Sequence, residues 1–228
     1  MQAVVLAGGR GTRLRPLTDD LPKPMIPVRG KPFLHYQLKM LAGNGFCDIV
    51  ILAGYKGERI VEYFRDGRDL NLRLHYSFEK ELLGTGGALK YAEHLLRETF
   101  VLLNGDTFLP IDYSKLIHSF ESSKHLATIV AYDNIDKIAP CNLRLRPNSM
   151  VAAYSKKDQR GMTHLDAGVI ALRRSAVELV RPAVVVSLEE EIFPQLIQRG
   201  ELHAFPSSQR FYDIGTLVGL RLFSEHLE

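Results

Sequence analysis

Two carboxylates and a basic, glycine-rich loop are the residues of this sequence best suited to chemistry. The apolar run Ala3-Val4-Val5-Leu6-Ala7 stops abruptly at Gly8-Gly9. It reads as a buried strand ending in a tight turn, where glycine permits positive φ and lets a ligand lie against bare backbone. Between residues 10 and 31 stand six basic residues, Arg10, Arg13, Arg15, Lys23, Arg29 and Lys31, against only Asp19 and Asp20; this local excess of +4 exceeds the +3 of the whole chain. Positive charge around a glycine turn at a strand end is a seat for an anion such as phosphate; the alternative is a solvated basic loop. Asp106, in Asn104-Gly105-Asp106-Thr107, stands just past the apolar run from Phe100 to Leu103. A hard oxygen ligand at the end of a buried strand suits magnesium, and a turn or helix-capping aspartate is the alternative. The eight histidines are scattered without H-E-x-x-H, and neither G-x-S-x-G nor a G-x-x-x-x-G-K-[ST] loop occurs. Zinc hydrolysis and serine acyl transfer therefore have no support.

The stretch from Leu6 to Thr18, continued by Pro22-Lys23-Pro24-Met25-Ile26-Pro27, resembles the signature of the sugar-1-phosphate nucleotidyltransferases, L-A-G-G-x-G-T-R-L-x-P-L-T followed by P-K-P-x-x-P. The likeness runs from residue 3 to about residue 220. It implies an α/β protein with a three-layer α/β/α, Rossmann-like fold. The implied reaction is attack of a sugar 1-phosphate oxygen on the α-phosphorus of a nucleoside triphosphate, with pyrophosphate leaving. Such a reaction needs neutralising charge, a divalent metal and in-line positioning more than a covalent nucleophile.

By this resemblance Leu6, Ala7, Gly8, Gly9, Gly11 and Thr12 seat the nucleotide. Arg13 and Lys23 neutralise the triphosphate and the departing pyrophosphate, with Arg10 and Arg15 as secondary candidates. The segment Glu79-Lys80-Glu81-Leu82-Leu83-Gly84-Thr85-Gly86-Gly87-Ala88-Leu89 resembles the loop that reads the base, so Thr85, Gly86 and Gly87 are expected at the nucleotide; a helix N-terminus capped by Thr85 is a compatible reading. Phe211-Tyr212-Asp213-Ile214-Gly215-Thr216 resembles the D-I-G-T element, whose aspartate shares Mg2+ with that of N-G-D. Asp106 and Asp213 are thus the expected metal pair, and Leu217 stands where the family usually has proline. Val151-Ala152-Ala153-Tyr154-Ser155-Lys156-Lys157 occupies the place of F-x-E-K. Lys157 is then expected to hold the sugar phosphate, while Lys156 replaces a glutamate that often contacts sugar hydroxyls; either lysine is able to serve, or both are simply solvated. Asp166-Ala167-Gly168 matches N-A-G with Asp for Asn, which makes Asp166 and Gly168 sugar contacts, a strand-start aspartate being the alternative.

Within the family, L-G-T-G-G-A-L, D-A-G and S-L-E-E-E-I-F-P are most similar to members that make a GDP-heptose. GTP and D-glycero-D-manno-heptose 1-phosphate are the substrates this implies. Mannose, glucose and N-acetylmuramate 1-phosphates, and UTP, CTP or dTTP, are the alternatives. A glycosyltransferase would call for D-x-D, which Asp106-Thr107-Phe108 is not, and a non-catalytic nucleotide-sugar regulator would not need Arg13, Lys23, Asp106 and Asp213 together.

These groups require elements to position them. Strand patterns at residues 2–7, 48–53, 72–77, 100–104 and 127–131 alternate with helix patterns at 33–42, 58–65, 86–96 and, after a capping Asp112, to about 121. That alternation predicts a mainly parallel sheet covered on both faces, with ligands at the carboxyl ends of its strands. Beyond Cys141, short pieces at 142–146, 151–155 and 167–172 suggest a small antiparallel addition over the site. Ser187-Leu188-Glu189-Glu190 has capping-box spacing and opens a helical stretch that Pro194 bends or restarts. A strand near 202–205, a turn at Asp213-Ile214-Gly215 and an amphipathic helix close a single domain spanning 1–228.

A hydrophobic content of 46% and a charged content of 24% over 228 residues are those of an ordinary globule. No polybasic run marks a nucleic-acid surface, so the expected partners are small anions, a nucleoside triphosphate and a sugar 1-phosphate. Cys47 and Cys141 are expected to be reduced and packed. No signal-peptide pattern or bilayer-length apolar run is present, which reads as a cytoplasmic protein without membrane contact; a homo-oligomer stays open.

Overall fold

The computed structural model describes residues 1–79 and 81–227. Seven strands, β1 (Gln2–Ala7), β2 (Asp48–Ala53), β3 (Arg73–Phe78), β4 (Thr99–Asn104), β5 (Ala127–Tyr132), β6 (Leu165–Arg173) and β7 (Leu202–Ser207), form one sheet in the order β7-β5-β6-β4-β1-β2-β3. All run parallel except β6, which is antiparallel to both of its neighbours.

The helices are α1 (Phe33–Gly43), α2 (Glu58–Phe64), α3 (Gly84–Tyr91), α4 (Tyr113–Ser123), α5 (Phe193–Arg199) and α6 (Leu217–His226). Because successive side chains of a strand point to opposite faces, β1 divides its apolar residues between two cores. Ala3, Val5 and Ala7 meet Leu34, Leu38 and Leu41 of α1, Ile60 of α2 and Leu116 and Phe120 of α4. Val4 turns to the other face, where Ala88 and Leu89 of α3 and Phe193 and Leu196 of α5 cover it. Each such buried Val, Leu or Phe is worth about 1.5–3 kcal/mol. Helix α6 closes a separate patch, in which Phe223 meets Phe33 edge-on at 4.9 Å and Phe108 at 5.1 Å.

Several local expectations change in detail. Only the first two pieces beyond Cys141 make the antiparallel addition, Leu143–Leu145 with Val151–Tyr154. The third belongs to β6 and enters the middle of the main sheet, because its unbroken apolar run Val169-Ile170-Ala171-Leu172 is buried on both faces. The helix expected over 86–96 begins earlier, at Gly84, and breaks at Tyr91 into a short 3-10 turn, Glu93–Leu95. The stretch after Ser187 is a π-helical turn, Leu188–Ile192, from which α5 restarts with Pro194 in its first turn. Its extra residue alters the capping box. Ser187 Oγ accepts from Glu190 N, but the carboxylate that accepts from Ser187 N is that of Glu191, at 3.0 Å. Both cysteines are free, Cys47 exposed and Cys141 half-buried, so neither is tightly packed. Among the described residues no helix is long and apolar enough to cross a membrane.

The antiparallel sense of β6 has a positional effect. The carboxyl ends of β1 and β4 bring Leu6, Ala7 and Asn104 to one edge of the sheet, and β6 reaches that same edge with its first residues, Leu165 to Gly168.

Candidate active site

A cavity of about 950 Å³ opens along this edge. One part of its lining is the glycine loop. Gly11, at φ +61°, leads into a 3-10 turn, Thr12–Leu14, which buried Leu14 pins while Thr12 and Arg13 stand out. The Thr18 hydroxyl donates to Gly11 O at 3.0 Å and closes the loop. A Cβ on Gly8 would fall 2.7 Å from Glu79 Oε1, so that position has room only for glycine while Glu79 stays in place. Glu79 itself accepts from Leu83 N at 2.9 Å, and burial raises its carboxyl above the usual range.

Lys23 lies on a second 3-10 turn, Lys23–Met25, whose three residues are all buried. Its ammonium contacts Asp106 Oδ2 and lies 3.8 Å from Asp213 Oδ1. Arg13 reaches the same place: a Cβ on Gly215 would lie 3.0 Å from Lys23 Nζ and 3.2 Å from Arg13 Nη2. Two cations and two carboxylates therefore converge on one wall.

The carboxylates are joined by a two-residue ribbon. Tyr212–Asp213 pairs antiparallel with Thr107–Phe108, and Ile214 N donates to Asp106 O at 3.0 Å. Gly105 donates to Leu6 O at 2.9 Å where a Cβ would lie 2.4 Å from that oxygen, so the turn before Asp106 must be glycine. Below it, buried Gln37 of α1 donates through Nε2 to Asn104 O at 2.9 Å and Thr107 O at 2.7 Å. Burial first, and the neighbouring Asp106 carboxylate second, push Asp213 above the usual carboxylate range. A hard divalent cation relieves that repulsion. Among the described residues no cluster of three or more His, Cys, Asp or Glu side chains suits a metal, so the rest of a coordination shell would come from phosphate and water, as magnesium ordinarily has it. The residues present fit such an ion.

The same cavity is also lined by Asp166, Gly168, Lys156 and Glu189. The register of β6 against β5 shifts between Asp166 and Ile170, and Gly168 sits at φ +69° with no space for a Cβ beside Asn104 Nδ2 and Thr107 Oγ1, both 2.9 Å away. This irregularity aims Asp166. Its Oδ2 accepts from Tyr154 OH at 3.2 Å, its Oδ1 from Gly168 N at 2.9 Å, and burial, reinforced by Glu189, raises its carboxyl.

Of the residues expected at the site, Leu6, Ala7, Gly8, Gly9, Gly11, Thr12, Arg13, Lys23, Thr85, Asp106, Lys156, Asp166, Gly168 and Asp213 all line the cavity. Three do not. Gly86 and Gly87 are buried with their N–H groups donated to Val186 O, at 2.9 and 3.2 Å. They are glycines because the 184–186 segment crosses the start of α3 too closely for side chains; a Cβ on Gly87 would lie 2.9 Å from Val184 O. Lys157 is 88% exposed and pairs with Glu190 at 3.5 Å. Between the two lysines, Lys156 is the one on the cavity wall. Sequence reasoning missed Gln37, Glu79 and Glu189. Gln37 had a signal, a polar residue at the core spacing of Phe33, Leu34, Leu38 and Leu41.

A glycine loop at the carboxyl edge of a doubly covered sheet, facing convergent cations and a carboxylate pair, defines a nucleotide-handling α/β enzyme. Residues 2–138 match the nucleotidyl transferase family model. The chain is 36% identical over 174 residues to a D-glycero-alpha-D-manno-heptose 1-phosphate guanylyltransferase of Campylobacter jejuni, covering 76% of each chain. It is 32% identical over 216 residues to one of Aneurinibacillus thermoaerophilus, covering 94% of this chain and 93% of that one. The crystal structure of HddC from Yersinia pseudotuberculosis superposes with a TM-score of 0.85 at 29% identity, over 100% of this chain and 99% of that one, and HddC is also known in complex with GMP-PN. The chain belongs to the nucleotidyl transferase family.

Proposed function

We propose that the chain transfers the guanylyl group of GTP to D-glycero-D-manno-heptose 1-phosphate, yielding a GDP-heptose and pyrophosphate. The observation that carries the reading is one cavity lined both by the cations and paired carboxylates and by Lys156, Asp166 and Gly168. The two similar guanylyltransferases and the GMP-PN complex of HddC support the choice of base and sugar.

In this reading the backbone from Leu6 to Thr12 seats the nucleotide. Arg13 and Lys23 neutralise the triphosphate and the departing pyrophosphate, an electrostatic contribution that grows as charge builds on the leaving group. Asp106 and Asp213 are the residues that would hold Mg2+, which when bound supplies positive charge to the phosphate oxygens. Lys156 meets the sugar phosphate, and Asp166 with Gly168 orients the sugar so that its phosphate oxygen lies in line with the α-phosphorus. The reaction belongs in the cytoplasm, where nucleoside triphosphates are available.

The test is pyrophosphate release by the purified protein with magnesium, across the common nucleoside triphosphates and several sugar 1-phosphates. Release highest with GTP and the heptose supports the proposal. Release with another pair retains the reaction and replaces the substrates, and silence with every pair rejects it.

A further inference from the structure

Glu189 has no part in the roles assigned so far, yet it sits in the cavity wall with a side chain only 15% exposed. We infer that it is the specificity-determining carboxylate of the acceptor end, reading acceptor hydroxyls beside Lys156, whose three ammonium donors serve Glu189, the sugar phosphate and a hydroxyl; this rests on the reading above that the acceptor is a sugar 1-phosphate.

Three observations converge. The first is the π-helical turn Leu188–Ile192, a form frequent at functional sites. It distributes three consecutive glutamates in three directions: Glu190 outward to Lys157, Glu191 back to Ser187 N, and Glu189 into the cavity.

The second is the way Glu189 is held. Its Oε2 accepts from Thr85 Oγ1 at 2.7 Å and Ser187 Oγ at 3.1 Å, and its Oε1 from Lys156 Nζ at 3.3 Å. Thr85 is itself fixed, accepting from Leu188 N at 2.9 Å. A carboxylate has about four acceptor positions, so these three bonds lock the group and leave capacity on Oε1, the oxygen shared with Lys156.

The third is charge. Burial works against an ionised Glu189, but the Lys156 ammonium and the Thr85 hydroxyl outweigh it and hold the carboxyl below the usual range. An ionised, pre-oriented acceptor beside an ammonium donor is the pair that a polyol needs, since each sugar hydroxyl both donates and accepts. A site built this way rejects acceptors that leave its polar groups unpaired.

The test compares wild type, Glu189→Gln and the exchange Lys156→Glu with Glu189→Lys. Readouts are kcat and KM for heptose 1-phosphate and for a hexose 1-phosphate, plus GTP affinity by calorimetry, with thermal melts to verify folding. Glu189→Gln is expected to raise the acceptor KM roughly tenfold or more and to narrow the heptose-to-hexose preference, with GTP affinity within twofold. The exchange is expected to recover part of the acceptor loss. An unchanged acceptor profile overturns the inference. So does a parallel fall in GTP affinity and acceptor binding, which would make Glu189 a strut between α3 and the π turn. If wild type turns over no sugar 1-phosphate at all, the functional reading fails first, and this inference falls with it.

Discussion

The Lys23 ammonium and the Asp213 carboxylate lie 3.8 Å apart, although they stand at positions 23 and 213 of the chain, and Asp106 touches the same ammonium. One buried lysine thus balances two carboxylates that would otherwise repel. Lys23→Gln is expected to lower stability by about 1–3 kcal/mol, below the figure for a fully buried pair because both carboxylates keep solvent contact. Magnesium should raise the melting temperature of this variant more than that of wild type. Equal shifts in thermal scans would separate Lys23 from the metal pair.

Asp106→Asn and Asp213→Asn each remove a charge without changing side-chain size. Turnover is expected to fall by about 10²–10³-fold in either variant, with circular dichroism unchanged. A folded variant with near-normal pyrophosphate release would show that the pair does not serve a shared metal.

Lys156 and Lys157 are neighbours with different surroundings. Lys156→Met is expected to raise the acceptor KM roughly tenfold. Lys157→Met should leave kinetics within about twofold, since its exposed pair with Glu190 contributes about 0–1 kcal/mol. Reversed results in the same assay would return the phosphate contact to Lys157.

Asp166 provides a pH signature. Its folded pKa is raised, chiefly by burial. Proton binding therefore favours the folded state, and ionisation above that raised pKa costs stability. Asp166→Asn keeps an amide oxygen that accepts from Gly168 N and places its amide nitrogen where it donates to Tyr154 OH. It is expected to melt higher than wild type at neutral pH, and the advantage should fade as pH falls through the folded pKa towards the ordinary carboxylate range. An advantage independent of pH would locate its cause elsewhere.

Gln37→Leu deletes two bonds to the turn that carries Asp106. Leaving Asn104 O and Thr107 O unpaired is expected to cost about 2–4 kcal/mol. Denaturant unfolding measures the loss, and a neutral result would mean that the turn holds itself.

Much of this was legible because it is local. The glycine loop, the prolines around Lys23 and the capping Asp112 act over a few residues, and Asp112 does accept from Ser114 N and Lys115 N. Glu189 was hidden because its meaning comes from Thr85, 104 residues away, and from one extra residue in a helical turn. Gly86 and Gly87 read as ligand contacts because glycine's small size serves a ligand and a crossing backbone equally well; only the position of Val186 decides between them. The place of β6 was equally hidden, since an apolar run states that it is buried but not between which neighbours.

That place governs how far the molecule can be divided. The match to the family model stops at residue 138, after β5 and before β6. Yet β6 is the strand that lies between β4 and β5 in the sheet. A chain cut there would leave β4 with an open edge and β5 with no strand beside it, since its other neighbour β7 also follows the cut; open edges of that kind recruit foreign strands. The part of the cavity lining that carries Asp166 and Gly168 is therefore tied to the main sheet. Transplanting it into a relative would require exchanging residues inside the central strand, with the backbone of the sheet left continuous.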